Sequence, residues 1–340
     1  MKTLFYLPVK AVNDATIYYT DLIKRAFVNS GWEVTTEQTV DRVNEFDVVV
    51  TIRVRDFLKV YLKNSKLRII NWQQGIGPEE YAMLNQYSLR AKAVSSAFSM
   101  MEKWVLKKSY YCFLVSTSML KHYREKYDIA LNNHIVVPCY NKNLQPAYFD
   151  QSLKEASSFV YAGTLFSWQC FERTVALYQK IEQKNPEASL TVFTKEKEAA
   201  REILNRYHIK NSQIRYVSLA QLDQELSTFK YGFILRDQHP VNAVSTPTKM
   251  NSYLSVGLMP IYTDVIESFE EHLNLAPYCL KFKANDSLEF MADAIDAHNK
   301  KTVDYPDFLK ICQENFKGYY DDAFNISKIE KELIDGLKTT

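Results

Sequence analysis

The stretch STPTKMNSYLSVGLMPIYTD, residues 245–264, decides the fold of the second half of the chain. Pro247 fits a first helical turn, because its missing N–H would have no partner inside the helix there. Gly257 suits the residue just past the helix end, and the apolar residues 258–261 then predict a short buried strand. Thr248 and Lys249 place a hydroxyl and an ammonium beside the positive end of this helix. They suit a bound anion, although a well-capped helix with solvated cations explains them equally well.

Short apolar runs alternate with longer amphipathic runs on both sides of this stretch. The predicted strands include TLFYLP, WEVTTE, FDVVVTIRV, LRIINW, YCFLVST and HIVVP in the first half, and SSFVYAG, ASLTVFT, QIRYVS and KYGFILR in the second. Helices are predicted between them, among them one long helical region over 79–109. This alternation predicts an α/β fold with parallel sheets covered on both faces.

A polar segment with two prolines, around 138–156, interrupts the alternation and predicts a linker. We therefore expect an N-terminal Rossmann-like domain over 1–150 and a second such domain over 151–310. An amphipathic helical tail over 311–340 is expected to pack back toward the first domain. Two such domains would face a cleft, and ligands in parallel sheets bind beyond the carboxyl ends of the strands.

The composition, 46% hydrophobic and 24% charged, is that of a soluble globular protein. No apolar run reaches the length of a membrane span, and the N-terminal run is too short for a signal peptide, so we expect a cytoplasmic protein. The five cysteines have no CxxC pair, and neither HxxxH nor HExxH occurs. These patterns predict neither disulfides nor a bound metal.

The charge is unevenly distributed along the chain. Residues 1–150 carry a net charge of +6 and the remainder carries −4, within a total of +2. A basic first half would suit anionic lipid head groups or a phosphorylated acceptor, and ordinary solvated faces explain it equally well. We expect no nucleic-acid partner.

Polar residues that could bind a nucleotide follow three predicted strands of the second half. They are Gly163 and Thr164 after SSFVYA, Thr194 and Lys195 after ASLTVF, and Arg236 and Asp237 after KYGFIL. The glycine permits a tight turn and a close backbone approach to a ligand. Each feature taken alone also fits an ordinary strand-to-helix loop.

The segments YAGTLFSWQCFERTVALYQKI and YGFILRDQHPVNAVSTPTKMNSYLSVGLMPIYTD resemble the donor half of GT-B glycosyltransferases. The resemblance is to the bacterial group 1, family four-like enzymes of capsule, exopolysaccharide and O-antigen synthesis. It covers residues 157–265 well, and WQQGIGPEE, FLVSTSMLKHY and VVPCYN extend it into the first half. It implies the GT-B fold, a nucleotide-sugar donor and retention of anomeric configuration. No DxD motif of metal-dependent transferases stands out, and Asp321-Asp322 lies in the helical tail, so we also predict no metal requirement.

The resemblance also implies residue roles. Gly163, Thr164, Arg236, Thr248 and Lys249 would lie on the donor, and Arg236 and Lys249 would stabilise the departing diphosphate. The family usually has a glutamate that binds the ribose five residues before the glycine of the helix end, whereas this chain has Ser252, with Asn251 beside it. Ser252 or Asn251 would then contact the ribose, unless the nucleotide is held differently; Asp237 lies near the family's first glutamate.

The acceptor is expected in the first half, at the loop Trp72-Gln73-Gln74-Gly75 that follows LRIINW. Amides and an aromatic ring suit sugar hydroxyls and ring faces. Glu79 and Glu80 then either serve as N-terminal helix charges, or one of them orients or deprotonates an acceptor hydroxyl. In the first loop, Asn13 and Asp14 are further acceptor candidates.

The stretch SLRAKAVSSAFSMMEKWVLKKSYY mixes basic side chains with large apolar ones. It is either a long packed helix with basic ends or a peripheral contact with an anionic membrane.

The sequence as a whole predicts a glycosyltransferase that moves a sugar from a nucleotide-diphosphate donor to a glycan or lipid-linked glycan acceptor. Two alternatives stay open. The first is a GT-B nucleotide-sugar epimerase, which should place acids and histidines at the site. The second is a non-catalytic nucleotide- or sugar-binding protein, which the replacement of the usual glutamate by Ser252 favours.

Overall fold

A computed structural model of the chain describes residues 1–13 and 16–339. In this part of the chain the strands are β1 Lys2–Tyr6, β2 Glu33–Glu37, β3 Val48–Thr51, β4 Arg68–Gln73, β5 Tyr111–Leu114, β6 His134–Val136, β7 Ser158–Ala162, β8 Ser189–Phe193, β9 Ser212–Arg215, β10 Tyr231–Ile234, β11 Met259–Thr263 and β12 Leu280–Phe282. All of the strand pairings are parallel.

The α-helices are α1 Ile17–Asn29, α2 Val54–Lys63, α3 Gly77–Leu84, α4 Leu89–Lys108, α5 Thr117–Tyr127, α6 Phe171–Lys184, α7 Lys197–Arg206, α8 Leu222–Leu226, α9 Pro240–Ala243, α10 Thr248–Leu254, α11 Glu267–His272, α12 Leu288–Asn299, α13 Tyr305–Lys317, α14 Asp322–Ile329 and α15 Asp335–Thr339. A π-helical segment, Glu330–Ile334, joins the last two. Short 3-10 turns lie at Val43–Glu45, Pro146–Tyr148, Gln151–Leu153 and Ser167–Gln169.

The chain forms two compact units. The first comprises Met1–Asn141, Val244–Thr246 and the residues from Tyr319 onward, and the second comprises Lys142–Ala243 and Pro247–Gly318. The last helices therefore belong to the first unit, where the hydroxyls of Tyr18 and Tyr140 donate to the Asp322 carboxylate at 2.8 and 3.0 Å. The return to the first unit begins after α13.

Each unit contains one six-stranded sheet. The order is β2-β1-β3-β4-β5-β6 in the first unit and β12-β11-β10-β7-β8-β9 in the second. Read from the other edge, the second order is 3-2-1-4-5-6 in chain sequence, the arrangement of a dinucleotide-binding Rossmann sheet. The predicted α/β class with two Rossmann-like parallel sheets and a C-terminal run of helices is confirmed.

Buried apolar strands explain why these sheets form. β3 and β10 are buried at every residue, as expected of central strands covered on both faces. Gly232 in β10 permits close packing, because a Cβ there would lie 2.4 Å from Leu258 and 2.5 Å from the Tyr253 ring. α10, which carries Tyr253, can therefore pack directly against the central strand.

The helical region predicted over 79–109 is two helices in the structure. α3 ends at Leu84, and Gln86 and Tyr87 both have positive φ, a conformation that a continuing helix cannot use. The hydroxyl of Ser88 then accepts the Ala91 N–H at 3.2 Å and caps the start of α4.

Candidate functional site

The strand order of the second sheet reverses between β7 and β10, which are hydrogen-bonded neighbours. The chain runs from β7 outward through β8 and β9, and then returns to the other side of β7 with β10. Ligands of such sheets bind beyond the carboxyl ends of the strands at this switch point. Gly163 follows β7 directly, and Arg236 lies two residues after β10, so the structure brings both predicted residues to this point.

Lys249, on α10, lies over Gly163. A Cβ added to Gly163 would meet Lys249 Cε at 2.7 Å and Nζ at 3.0 Å, and Gly163 has a φ of +143°. The Lys249 Nζ also lies 4.0 Å from the centroid of the Tyr161 ring on β7. A glycine is therefore required here both by its backbone conformation and by the lysine above it.

The Lys249 amine is buried and has no hydrogen-bond partner in the described part of the chain. Burial lowers its pKa well below the ordinary lysine range, and the nearby charge of Arg236 lowers it further. A buried donor without an acceptor is costly, and natural proteins keep few of them. An anion bound above Gly163 would supply the missing acceptor.

Arg236 is a second buried basic side chain at this point, with 1% of its surface exposed. Its guanidinium donates to the Gln169 side chain at 2.7 Å, the Gln169 carbonyl at 3.2 Å and the Leu235 carbonyl at 2.8 Å, all neutral oxygens. Asp237, the next residue, instead forms an ion pair with Arg173 at 2.7 Å. A buried amine without an acceptor, beside a buried guanidinium held by neutral oxygens, is an arrangement that suits a bound anion.

The loops after β7 and β8 are joined through Glu196, a residue that the sequence reasoning did not single out. Its carboxylate accepts the backbone N–H of Leu165 at 2.8 Å, and its own N–H donates to Thr194 Oγ1 at 3.2 Å. The Thr164 carbonyl accepts the Tyr161 hydroxyl at 2.5 Å. These bonds fix the loop after Gly163.

The remaining predicted donor residues differ in their surroundings. The Asn251 side chain pairs with the Lys142 backbone, accepting its N–H at 2.8 Å and donating to its carbonyl at 2.9 Å. Ser252 is buried, Thr248 is half-buried, and Lys195 is exposed with its Nζ 5.3 Å from the Tyr216 ring centroid. Asn251 thus holds the start of the second unit, and the predicted ribose contact of Ser252 or Asn251 stays a prediction.

In the first unit, two of the predicted acceptor residues lie inside the sheet. The Trp72 ring stacks on Tyr19 with centroids 3.9 Å apart and is 1% exposed. Gln73, also buried, donates to Asn71 at 2.6 Å. Gln74 and Gly75, in the loop after β4, are half-buried.

Glu79 stands at the start of α3, where His122 and Lys126 of α5 approach it. Its Oε1 lies 3.2 Å from His122 Nε2 and 2.7 Å from Lys126 Nζ. Burial raises the pKa of Glu79, but these two basic neighbours outweigh burial and leave the pKa below its ordinary value. Its second oxygen, Oε2, is buried and accepts no hydrogen bond in the described residues.

Glu80 differs from Glu79, because burial and the charge of Glu79 raise its pKa. A Cβ on Gly75 would collide with the Glu80 carboxylate, so this glycine lets the carboxylate lie against the loop. His122 was not singled out from the sequence, because this histidine lies on α5, far from Glu79 in the chain. The stretch FLVSTSMLKHY contains this histidine, which lies one helical turn before Lys126 on α5.

Glu102, on α4, is a buried neighbour of this cluster. Burial raises the pKa of Glu102 to about 7. A hydrogen bond from the Tyr127 hydroxyl at 2.6 Å and the charge of Lys126, whose Nζ lies 3.7 Å away, lower this pKa and offset part of the rise. Since the folded chain binds this proton more tightly than the unfolded chain, stability falls as pH rises from 4.5 to about 7.

We therefore expect Glu102→Gln to stabilise the protein at pH 8 by about 1–3 kcal/mol, because it removes a buried charge and keeps an oxygen for Tyr127. At pH 5 the gain should be small, since the native glutamate is then protonated. Urea unfolding at both pH values measures the difference. Glu125→Gln, at an exposed site on α5, is the control; an equal gain at both pH values would contradict the assignment.

The structure describes one of the two predicted acceptor residues of the first loop, Asn13. Asn13 is exposed and forms a turn in which its Oδ1 accepts the Thr16 N–H at 3.2 Å. Asp14 lies outside the described residues.

Across residues 1–13 and 16–339, no group of three or more His, Cys, Asp or Glu side chains could hold a metal ion. No helix in that part of the chain is long and apolar enough to cross a bilayer.

No protein-family profile matches the chain, and no curated protein sequence matches it. Solved structures do match it. HepE from Anabaena, in complex with UDP-glucose, is 10% identical with a TM-score of 0.68, covering 100% of both chains. The lipopolysaccharide outer core galactosyltransferase WaaB is 12% identical with a TM-score of 0.63, covering 99% of this chain and 100% of the other.

A third match is TarM from S. aureus, in complex with UDP, fondaparinux and alpha-GlcNAc-glycerol. It is 11% identical with a TM-score of 0.62, over 84% of this chain and 55% of TarM. This chain thus spans little more than half the length of TarM. The matched structures are GT-B glycosyltransferases, and the two six-stranded parallel sheets agree with theirs. The chain therefore has the GT-B fold.

Proposed function

We propose that this protein is a glycosyltransferase that takes a sugar from a nucleotide-diphosphate donor and transfers it to a glycan or lipid-linked glycan. The observation that carries the proposal is the buried Lys249 amine, which has no partner in the described residues and lies over Gly163 at the switch point of the second sheet. A diphosphate is an anion of the right kind for this position, and Arg236 adds a second positive charge.

The two cations would act on the leaving group. When the bond between the sugar and the diphosphate breaks, negative charge develops on the departing phosphate oxygen. Lys249 and Arg236 stabilise that charge in a site from which water is largely excluded, where electrostatic interactions are strong. The Gln169 contacts hold the Arg236 guanidinium in place before the reaction.

The first unit would bind the acceptor through the loop after β4 and the start of α3. Glu79 is held as a carboxylate by His122 and Lys126, and its Oε2 keeps an open lone pair for a sugar hydroxyl. We propose a retaining reaction, in which the acceptor oxygen forms the new bond to the sugar and its proton passes to the departing diphosphate. Glu79 then orients the hydroxyl, and no metal ion is needed.

The matched structures support a UDP-sugar as the first donor to test, since HepE was solved with UDP-glucose and TarM with UDP. WaaB acts in the lipopolysaccharide outer core, and TarM was solved with alpha-GlcNAc-glycerol. We propose a bacterial surface polysaccharide, such as a capsule or O-antigen, as the product, made in the cytoplasm.

Nucleoside diphosphate binding is expected to take up a proton. A bound diphosphate raises the pKa of Lys249 from its lowered value, so between the free and bound pKa values each binding event protonates the amine. Affinity should therefore fall as pH rises through that window. Calorimetry with UDP, GDP, CMP, TDP and ADP, with and without magnesium, in MOPS and in Tris, measures the uptake as a buffer-dependent enthalpy.

Lys310→Met, at an exposed site on α13, is the control and should leave the proton uptake unchanged. Identical enthalpies in both buffers would argue against a role for Lys249. If no nucleoside diphosphate binds, or CMP alone binds, the donor site is assigned wrongly. Binding without sugar transfer or donor hydrolysis would favour the non-catalytic alternative, and a changed sugar configuration in the recovered nucleotide sugar would favour the epimerase.

A further inference from the structure

Helix α4 exposes large apolar side chains on the face opposite its core contacts. Its packed face carries Ala91, Glu102 and Val105, all of which are buried. The opposite stripe, at helical spacing, consists of Leu89, Ala93, Ser96, Met100, Lys103 and Lys107. An ordinary surface helix places charged and polar residues on the face opposite its core contacts. The outward face of α4 instead combines the exposed Leu89 and Met100 with basic side chains, and this combination needs an explanation.

Exposed apolar side chains are concentrated in this part of the chain. Of the sixteen large hydrophobic side chains that are exposed in the described residues, six lie within residues 84–101. They are Leu84 (48% exposed), Tyr87 (44%), Leu89 (86%), Val94 (39%), Met100 (70%) and Met101 (44%). We call this segment, extended to the end of α4 at Lys108, the α3–α4 surface. Apolar clusters of this kind mark interaction sites.

The charges on the α3–α4 surface have one sign. Its ionisable acids and bases are Arg90, Lys92, Glu102, Lys103, Lys107 and Lys108. Glu102 is 1% exposed and accepts the Tyr127 hydroxyl, so the acid faces inward. The charge presented to solvent is therefore positive throughout and lies beside apolar side chains.

We propose that the α3–α4 surface docks on an anionic lipid bilayer. α4, with 20 residues and a length of about 30 Å, would lie in the plane of the interface. Leu89 and Met100 enter the acyl boundary, and the basic side chains flank them at the level of the phosphates. The proposal concerns the first unit alone and does not depend on nucleotide binding or sugar transfer.

A second copy of the chain fits this surface less well. A two-fold contact would place the same patch on both copies, so the basic residues would face each other. An anionic bilayer instead offers both an apolar interior and negative head groups. Charge complementarity therefore favours lipid.

Co-sedimentation of the full chain with vesicles tests the proposal. We compare vesicles of phosphatidylcholine alone with vesicles that contain about 30% phosphatidylglycerol, at low and at high salt. Binding to the anionic vesicles should be at least about ten-fold stronger than to the neutral ones and should weaken with salt. Lys92→Gln should lower the affinity about five-fold. Leu89→Ser together with Met100→Ser should lower it about ten-fold or more.

Leu62→Ser is the matched control, because Leu62 is equally exposed (84%) on α2 of the same unit and lies outside the α3–α4 surface. It should bind vesicles as the native chain does. All of these sites are exposed, so circular dichroism and melting should be unchanged. Failure to bind anionic vesicles, or equal binding by the Leu89→Ser/Met100→Ser variant, overturns the proposal. Dimerisation in sedimentation velocity that this variant abolishes overturns it in favour of a second copy.

Discussion

Lys249→Met is expected to weaken nucleoside diphosphate binding by about 10- to 100-fold and at the same time to stabilise the free protein by about 1 kcal/mol. The affinity falls because the phosphate loses a charged donor. The stability rises because methionine keeps the length and the contact with Tyr161 while removing a buried amine that has no partner in the described residues. Calorimetry with the nucleotide that binds the native chain, together with urea unfolding without ligand, measures both effects.

Arg236→Met provides the matched comparison. It should weaken binding by a similar factor, but it should destabilise the free protein by about 1–3 kcal/mol, because it leaves the oxygens of Gln169 and Leu235 without their donor. Opposite changes in stability with the same change in affinity would distinguish a lysine that serves only the ligand from an arginine that serves both the ligand and the fold. Native affinity in Lys249→Met, or a loss of stability there, would show that the amine is not kept for a ligand.

The alternation of apolar and amphipathic runs was sufficient to predict both parallel sheets. Buried central strands such as β3 and β10 are continuous apolar runs, and Pro247 and Gly257 mark the ends of the segment that contains α10. The order of the strands in a sheet depends on contacts between residues that are far apart in the chain. Even so, the first strand of each Rossmann sheet lies beside the switch point. The position of Gly163 directly after β7 was therefore sufficient to predict that Gly163 lies at this point.

The properties that decide the chemistry were not visible in the sequence. Pro-Thr-Lys fits a capped helix as well as an anion site, and only the fold shows that the Lys249 amine is buried without a partner among the described residues. The pairing of Glu79 with His122 joins residues that are far apart in the chain and close in the first unit. Likewise, α4 begins at the Ser88 cap. The apolar pattern continues across this position, so the pattern alone does not show the break between α3 and α4.

Gly163→Ala is expected to destabilise the protein by about 2–4 kcal/mol and to abolish nucleotide binding. A φ of +143° is strained for any residue with a Cβ, and that Cβ would lie 2.7 Å from Lys249 Cε. The lysine must then move from its place over β7, which removes the donor from the anion site. Urea unfolding and calorimetry measure the two losses.

A double-mutant cycle separates strain from collision. Lys249→Ala removes the atoms that the new Cβ would meet, so Gly163→Ala should cost about 1–2 kcal/mol less in that background, and the remaining cost reports the backbone conformation. Gly31→Ala measures the cost of a positive φ alone at another position. Gly31 has a φ of +81°, and a Cβ added there would have no described heavy atom within 4 Å. If Gly163→Ala and Lys249→Ala are additive within about 0.5 kcal/mol, Lys249 does not lie over the glycine, and the proposed diphosphate site loses its geometry.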